Sequence, residues 1–262
     1  MTIQVTKRDG SKEALDIEKL HKVVWWATEN IAGVSASQVE ISSNVQFYEG
    51  ISTTDIQETL IKSAADLISE ETPNYQTVAG RLIVYHINKM VYDGATPWHI
   101  YKLVKHNVEK GFYDGELLSE YTEEEWNTIN GWVKHERDEQ LTYAAMEQFR
   151  GKYLVQNRVT KTLYETPQMA YMLIAATLFQ DYDRKNRLRY VKDYYDAIST
   201  HQISLPTPVM AGVRTPQRQF SSCVLIETDD SLDSINATAS SIVKYVSQKA
   251  GIGINGGRIR AL

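Results

Sequence analysis

After Ser204 the sequence changes from helical periodicity to short apolar runs separated by turn residues, and this change constrains the fold more than any other feature. The run Cys223-Val224-Leu225-Ile226 predicts a buried strand. Asp229-Asp230-Ser231 predicts a loop that leads into a helix. Three of the six prolines lie in the polar loop before the strand. A strand that begins at such a loop commonly presents a side chain to a cleft.

Cys223 is the only cysteine of the chain. Its spacing alone favours a small buried hydrophobe, and a reactive thiol is the alternative interpretation. A single cysteine excludes an intrachain disulfide and a metal site made of cysteines alone. A redox partner of Cys223 would therefore lie on another polypeptide.

The composition is that of an ordinary globular protein. A length of 262 residues is enough for two domains that each bury a core. A net charge of -5 argues against a nucleic-acid-binding surface as the main function. No apolar run approaches the roughly 20 residues of a membrane span, and the N-terminus carries no apolar signal core. We therefore expect a cytoplasmic protein without a membrane partner.

The first 90 residues predict a hairpin followed by a helical cluster. Residues 3–8 alternate in polarity, Asp9-Gly10 supplies a tight turn, and residues 12–15 return. The predicted helices that follow begin near Ile17, near Thr54, which has capping-box spacing with Gln57, and near Tyr75.

The middle of the sequence predicts further helices and no chemistry. The predicted elements are a helix over 98–110, a capping box at Thr122–Glu125, a small hairpin around 157–161, an apolar core helix over 169–179 and a helix over 188–198.

Two possible nucleotide motifs are rejected. No GxxxxGK[ST] pattern occurs, which excludes a P-loop. Residues 251–256 read GxGxxG, but a helix is predicted before them and strand-like isoleucines lie within and after them. A dinucleotide-binding fingerprint must instead follow a strand and open a helix. Without further information, Lys7, Arg8 and Lys89 are interpreted as solvated surface charges, and Asp230 as a helix N-cap.

Four segments, SLPTPVM, GVRTPQRQFSSCVLIE, DSLDSINAT and AGIGINGGRIRAL, resemble the large subunit of class I ribonucleotide reductase. VTKRDGS near the N-terminus is similar to the start of the ATP-cone that opens many of these subunits, so the resemblance covers essentially the whole chain. It implies a mostly α fold with small β hairpins in three parts. These are an ATP-cone (1–94), a helical N-terminal domain (95–203) and the first strands of a ten-stranded α/β barrel (204–262).

The resemblance also implies an activity, the reduction of ribonucleoside diphosphates to deoxyribonucleoside diphosphates by thiyl-radical chemistry. Cys223 corresponds to one of the two cysteines that reduce the ribose. The other implied substrate-binding residues are Thr207, Ser222, Ala250 and Gly251. The implied effector residues are Lys7, Glu13, Lys19, Thr53 and Lys89 in the cone, and Asp230, Ser231, Leu232 and Arg260 in a specificity site, which Ser247 could also approach.

One position in the cone departs from a pattern found in the family. Some members have histidine where this chain has Gln57, whereas His86 corresponds to a second histidine near the nucleotide. Glutamine can donate a hydrogen bond but cannot become cationic. We therefore expect weak or absent inhibition by dATP.

The implied ligands and partners follow from the same resemblance. ATP, dATP and other deoxynucleoside triphosphates would act as allosteric effectors. The metal-radical cofactor would reside in a partner small (beta) subunit, with no metal in this chain. The other implied partners are the C-terminal remainder of the large subunit, thioredoxin or glutaredoxin, and a second large subunit in a homodimer.

The family continues for several hundred residues beyond the position of Leu262. The radical-carrying cysteine, the second reducing cysteine and the C-terminal redox tail are absent from the sequence. The chain is thus interpreted as one half of a split large subunit or as a truncated sequence, inactive alone. The alternative function is a free-standing ATP-cone regulator. Regulators of that kind usually carry a four-cysteine zinc ribbon, and they would leave the region after Ser204 unexplained.

Overall fold

The computed structural model describes residues 3–44, 46–94, 96–248 and 250–261, and they are mostly helical with two small sheets. The chain divides into two units, Met1–Ile100 with Asn130–Ala170 and Tyr101–Ile129 with Tyr171–Leu262. These compact units differ from domains, and the boundaries after residues 94 and 203 stay predictions. The predicted fold class, mostly helical with small paired strands, is confirmed. Among the described residues no helix is long and apolar enough to cross a membrane.

The first unit begins with a hairpin, as predicted, and continues with helices. Strands β1 and β2 pair antiparallel with Val5 opposite Glu13. The turn between them needs Gly10, whose φ of 83° lies in the left-handed region. The described elements up to Ile100 are β1 (Gln4–Thr6), β2 (Lys12–Ala14), α1 (Ile17–Thr28), α2 (Ala36–Asn44), α3 (Thr53–Ala65) and α4 (Tyr75–Tyr92). The later part of this unit contains a 3₁₀ helix (His135–Gln140), α8 (Tyr143–Gln148) and a π-helical turn (Phe149–Tyr153).

Helix α4 is the centre of the first unit. Val78, Leu82 and Ile83 on this helix are fully buried, as its helical apolar spacing predicts. A β-carbon at Gly80 would lie 2.1 Å from the backbone oxygen of Leu141. The helix therefore packs against the backbone before α8 at a distance that only glycine permits.

The second unit combines helices with a strand–helix–strand segment. Its described elements are α5 (Ile100–Glu109), α6 (Glu116–Glu120), α7 (Glu123–Asn130), α9 (Pro167–Phe179), α10 (Arg187–Ser199), α11 (Thr207–Gly212), β3 (Cys223–Glu227), α12 (Leu232–Ser247) and β4 (Gly251–Asn255). Three of these helices cross the limits of the unit: Ile100 of α5, Asn130 of α7 and residues 167–170 of α9 belong to the first unit.

The capping box predicted before α7 is confirmed. The backbone amide of Thr122 donates to Glu125 Oε2 over 2.8 Å, and the Glu125 amide donates to Thr122 Oγ1 over 3.2 Å. The same carboxylate binds the fully buried guanidinium of Arg187, with 2.8 Å between Arg187 Nη2 and Glu125 Oε2. One side chain thus caps α7 and neutralises a buried cation of α10.

Strands β3 and β4 form a parallel pair, with Cys223 opposite Gly251 and Glu227 opposite Asn255. Helix α12 makes the crossover that parallel strands require. The glycine pattern of residues 251–256 lies in β4 and the turn after it, not at the start of a helix. The rejection of a dinucleotide fingerprint is confirmed.

Two local predictions are wrong. Helix α3 is capped by Ser52, whose hydroxyl accepts from the Asp55 amide over 2.9 Å, and not by a box at Thr54 and Gln57. Strand β3 is not buried. The small hairpin predicted around 157–161 is present in short form, as an antiparallel bridge between Gln156 and Leu163 with backbone hydrogen bonds on either side of it.

Candidate functional site

The five effector residues predicted in the cone converge on one cavity of about 980 Å³ in the first unit. The hairpin and α1 form one side of it, and α3 and α4 form the other. Backbone hydrogen bonds join the two sides, because the Thr6 amide donates to Ile51 O over 2.9 Å directly before α3. The lining residues that the sequence predicted are Lys7, Glu13, Lys19, Thr53 and Lys89.

Charges of both signs line the hairpin side of the cavity. Lys7 Nζ lies 3.6 Å from Glu13 Oε2 across the two strands. Lys19 Nζ lies 3.5 Å from Asp16 Oδ2, and the backbone amide and charge of Lys19 hold the pKa of Asp16 below its usual value. Both ion pairs are exposed to solvent and therefore weak, so a more highly charged anion can replace the carboxylate as the partner of each lysine.

Lys89 supplies an unpaired cation on the α4 side. Its Nζ lies 5.0 Å from the centre of the Tyr85 ring. Within the part of the chain that the structure describes, no carboxylate lies within ion-pair distance of Lys89. Arg8 reaches this side from the hairpin, because its guanidinium donates to the backbone oxygen of Lys89 and lies 3.9 Å from Asp93.

The sequence did not single out Lys22, Trp26 and Tyr85, which also line the cavity. The Trp26 and Tyr85 rings lie 6.2 Å apart and form an aromatic wall. Helical spacing could have indicated them. Lys22 and Trp26 follow Lys19 by three and seven positions, and Tyr85 precedes Lys89 by four, so each shares a helix face with a predicted residue.

Gln57 and His86 both line the cavity, and both are buried. Burial lowers the pKa of His86 below its usual value, Glu58 opposes this effect, and Arg150 and Arg8 add to it. His86 Nε2 lies 3.4 Å from Glu58 Oε1, which also accepts from Arg150 Nη1 over 2.8 Å. His86 is therefore held as a neutral imidazole near pH 7.

Cys223 begins β3 and is exposed. The interpretation as a small buried hydrophobe is wrong, and so is the prediction of a buried strand, since the Leu225 side chain is 87% exposed. The Gly251 amide donates to Ser222 O over 2.8 Å. A β-carbon at Gly251 would lie 3.9 Å from Cys223 Sγ. Three of the predicted substrate residues, Ser222, Cys223 and Gly251, are thus neighbours, with buried Ala250 directly before β4.

The predicted specificity residues meet at the N-terminus of α12. Arg260 Nε lies 2.9 Å from Asp230 Oδ2. Ser231 is the N-cap, because its hydroxyl accepts from the Ser234 amide over 3.1 Å. The interpretation of Asp230 as the N-cap is therefore wrong, and its carboxylate is paired with Arg260 instead. Leu232, the first residue of the helix, is 85% exposed.

Two predicted residues lie away from these clusters. Thr207 begins the separate short helix α11, and among the described residues it makes no hydrogen bond with Ser222, Cys223 or Gly251. Ser247 ends α12 and donates to Lys244 O over 2.7 Å. The group of Asp230, Ser231, Leu232 and Arg260 is called the Asp230 cluster here. The 16 residues of α12 span about 24 Å, so within one chain Ser247 at the far end of the helix is not part of this cluster.

Family models match three consecutive parts of the sequence. Residues 3–90 match the ATP cone domain. Residues 139–218 match the all-alpha domain of ribonucleotide reductase, and residues 221–262 match its barrel domain. The cavity lies in the first match, and Cys223 and the Asp230 cluster lie in the third.

Similar proteins cover the chain from end to end. The ribonucleoside-diphosphate reductase subunit alpha of Haemophilus influenzae is 59% identical over 261 residues, which are 100% of this chain and 34% of that protein. Subunit alpha of reductase 1 of Escherichia coli is 59% identical over 258 residues, 98% of this chain and 34% of that protein. The subunit alpha of Enterobacteria phage T4 is 47% identical over 261 residues, 99% of this chain and 34% of that protein. The chain therefore spans about a third of the length of these relatives, and it belongs to the family of ribonucleoside-diphosphate reductase alpha subunits, to whose N-terminal region it corresponds.

Proposed function

We propose that the cavity of the first unit binds ATP or dATP as an allosteric effector. The observation that carries this proposal is the convergence of Lys7, Lys19 and Lys89, which come from three separate elements, on one cavity of about 980 Å³. Charge-assisted contacts to phosphate are short and strong, so these ammonium groups are suited to hold a triphosphate.

The cavity is suited to sensing a nucleotide and not to hydrolysing it. The Trp26 and Tyr85 rings offer an apolar surface for a base. Thr53 and Glu13 offer a hydroxyl and a carboxylate for sugar or phosphate groups. The chain lacks a P-loop sequence, so we assign the site a regulatory role.

ATP binding by the Lys89→Ala variant tests this assignment. We expect at least a tenfold weaker affinity, about 1.4 kcal/mol, because an unpaired cation that faces phosphate is lost. Calorimetry on the whole chain measures it, in an Arg260→Ala background that silences the second proposed nucleotide site. Lys12→Ala is the matched control, since Lys12 belongs to the same hairpin but does not line the cavity. Unchanged affinity in Lys89→Ala would refute the assignment.

We further propose that the chain contributes to the reduction of ribonucleoside diphosphates. Replacement of the 2′-hydroxyl by hydrogen consumes two electrons. Two thiols supply the two electrons and are oxidised to a disulfide, while the hydroxyl group leaves as water. Cys223 would be one of the thiols, and its exposure beside Ser222 and Gly251 supports this role. Since it is the only cysteine here, the second thiol and the radical-carrying thiol would come from the C-terminal remainder of the large subunit.

The other predicted residues complete the proposal. Thr207, Ser222, Ala250 and Gly251 would contact the substrate. At the specificity site, the Asp230 carboxylate would accept hydrogen bonds from an effector ribose, and Arg260 would face its phosphates, beside Ser231 and Leu232. The 2.9 Å separation of Asp230 and Arg260 supports a single ligand for both.

The proposed assembly contains a homodimer of large subunits, a radical-generating small subunit with its metal centre, and thioredoxin or glutaredoxin as reductant. Exposed apolar side chains on α12, among them Val243 (70% exposed) and Val246 (55% exposed), support a protein contact there.

A further inference from the structure

The segment that leads to Cys223 is attached to the turn before α6 at two points. The Asp114 amide donates to the backbone oxygen of Arg214 over 3.0 Å. Four residues later, the guanidinium of Arg218 forms an ion pair with Asp114 Oδ2. Arg214 itself is fully buried and donates to Met210 O over 2.6 Å. One residue of the turn thus holds both ends of the stretch 214–218.

The turn is built to hold this ion pair in place. Asp114 Oδ1 accepts from the Glu116 amide over 3.0 Å, which fixes the orientation of the carboxylate. The Asp114 side chain is only 16% exposed and the Arg218 side chain is 57% exposed, so only the carboxylate of the pair is shielded from water. Glu116 lies 3.8 Å from Arg218 and is held in turn by Gln180, whose Nε2 donates over 3.1 Å. A pair with these supports is stronger than an isolated surface pair.

Beyond Arg218 the segment bonds mainly to itself until it reaches β3. Gln219 accepts from the Ser221 amide over 2.5 Å and donates to Ser221 O over 2.9 Å. The ring of Phe220 lies near Gly212, where an added β-carbon would come within 3.4 Å of it. The next backbone hydrogen bond to another element is that of Ser222, whose oxygen accepts from the Gly251 amide. Arg218 is therefore the last ion-paired anchor before Cys223 in the described part of the segment.

We propose that Asp114 and Arg218 are positioning residues for Cys223. Their ion pair fixes the direction in which residues 219–222 enter β3 and so holds the thiol in one place. Neither residue touches Cys223. The catalytic importance of this placement rests on the proposed function, whereas the placement itself is a property of this chain. A thiol that must meet a reacting atom at about 3–3.5 Å loses rate steeply when it is displaced by 1 Å.

The first experiment needs only this chain. A nitroxide attached to Cys223, the only cysteine, reports the local motion by electron paramagnetic resonance. We expect the rotational correlation time to shorten about twofold in Arg218→Gln and in Asp114→Asn, because the anchor is lost. The double variant should show no further change, and the charge reversal Asp114→Arg with Arg218→Asp should restore the slower motion.

The control is Lys192→Gln, which removes an ion pair of 2.9 Å between Lys192 and Asp196 on α10 in the same unit. Arg218→Lys keeps the charge and should retain most of the restraint. Unchanged motion in both Arg218→Gln and Asp114→Asn, or an equal change in the control, would overturn the proposal. Circular dichroism of each variant shows whether the fold is kept.

The second experiment separates this inference from the proposed function. In the complete reductase, Arg218→Gln should lower kcat by about tenfold or more while KM changes by less than about twofold, since orientation and not substrate binding is lost. Arg218→Lys should recover most of the rate. Full activity of Cys223→Ser would refute the proposed function and leave the restraint seen by resonance intact. Inactive Cys223→Ser with fully active Arg218→Gln would refute the positioning role alone.

Discussion

At the scale of single residues, Asp138 shows what a buried carboxyl does to the first unit. It is 2% exposed, and Gln168 Nε2 donates to its Oδ1 over 2.9 Å. Burial raises the pKa of Asp138 from 3.8 to about 7, although the hydrogen bonds from Gln168 act in the opposite direction. The group therefore keeps its proton in the folded protein at pH values where the unfolded chain has lost it.

The stability of the protein should consequently depend on pH through Asp138. The pKa of Asp138 is higher in the folded than in the unfolded protein. The stability that protonated Asp138 contributes is therefore fully present below about pH 4 and is lost as pH rises through about 7. In Asp138→Asn, which stays neutral and keeps the acceptor for Gln168, the free energy of unfolding should fall less between pH 5 and pH 8 than in the wild type. Urea unfolding at both pH values measures this. The exposed Asp233→Asn should behave like the wild type, and parallel pH dependences of wild type and Asp138→Asn would contradict the account.

Gln57 determines, in our proposal, how the cavity responds to dATP. Its side chain is buried, its Nε2 lies 3.5 Å from Leu82 O, and the neutral His86 lines the same cavity. We expect the complete enzyme to show weak or no inhibition by dATP. Gln57→His should strengthen inhibition, because it adds a titratable donor to the cavity wall.

An activity titration with dATP measures the effect of Gln57→His. Gln76→His is the matched control, since Gln76 is exposed in the first turn of α4 and does not line the cavity. Strong inhibition of the unchanged enzyme at micromolar dATP would disprove the assigned role of Gln57.

At the scale of elements, the contact of α4 with the backbone before α8 depends on Gly80. Alanine normally stabilises a helix by up to about 1 kcal/mol relative to glycine. Here the added β-carbon would lie 2.1 Å from Leu141 O, and backbone atoms would have to move. Overpacking of this kind costs about 1–3 kcal/mol, so Gly80→Ala should lower the free energy of unfolding despite its better helix propensity.

Thermal unfolding tests this expected loss of stability. Gly151→Ala is the control, because apart from its chain neighbours and its own helix backbone no atom lies within 4 Å of its added β-carbon. A stabilised Gly80→Ala variant would be inconsistent with the close packing.

The elements also show where sequence reasoning succeeded. Helices α1 and α4 were predicted because apolar residues repeat at helical intervals. The capping box at Thr122 was predicted because Thr122 and Glu125 have the spacing that such a box requires. The box at Thr54 failed because Ser52 and Asp55 offer the same spacing two positions earlier, and the sequence does not indicate which hydroxyl meets a free amide. The cavity lysines were predicted from a resemblance, whereas Trp26 was missed although it lies seven positions after Lys19 and so on the same face of α1.

Strand β3 shows why burial was harder to predict than secondary structure. Its apolar run correctly predicted a strand, but such a run indicates only that the side chains can be buried. What covers them depends on elements far away in sequence. Among the described residues β3 pairs only with β4, and Leu225 is exposed.

At the scale of the whole molecule, we expect no reductase activity from this chain alone. Reduction requires a radical and a pair of thiols at one substrate, and the chain offers one thiol. Mixing it with the C-terminal remainder of the large subunit, the small subunit and a ribonucleoside diphosphate should yield deoxynucleotide. In a single turnover without external reductant, Cys223 should become part of a disulfide with the remainder.

Measurement of deoxynucleotide with and without each component tests this expectation. The Cys223→Ser variant should lose turnover with the physiological reductant. Turnover by the isolated chain, or full turnover by the serine variant, would rule out the proposed reaction.

The parallel pairing of β3 with β4 also has a consequence for the order of folding. Helix α12 lies wholly between the two strands in sequence, and a helix of this length forms within about a microsecond. The hydrogen bond from Gly251 to Ser222 can form only after the helix has brought the strands together. Because such non-local pairing is slow, we expect the strand that carries Cys223 to be among the last parts of the second unit to become ordered. Until β4 has paired with β3, the thiol of Cys223 therefore lies on an unpaired strand.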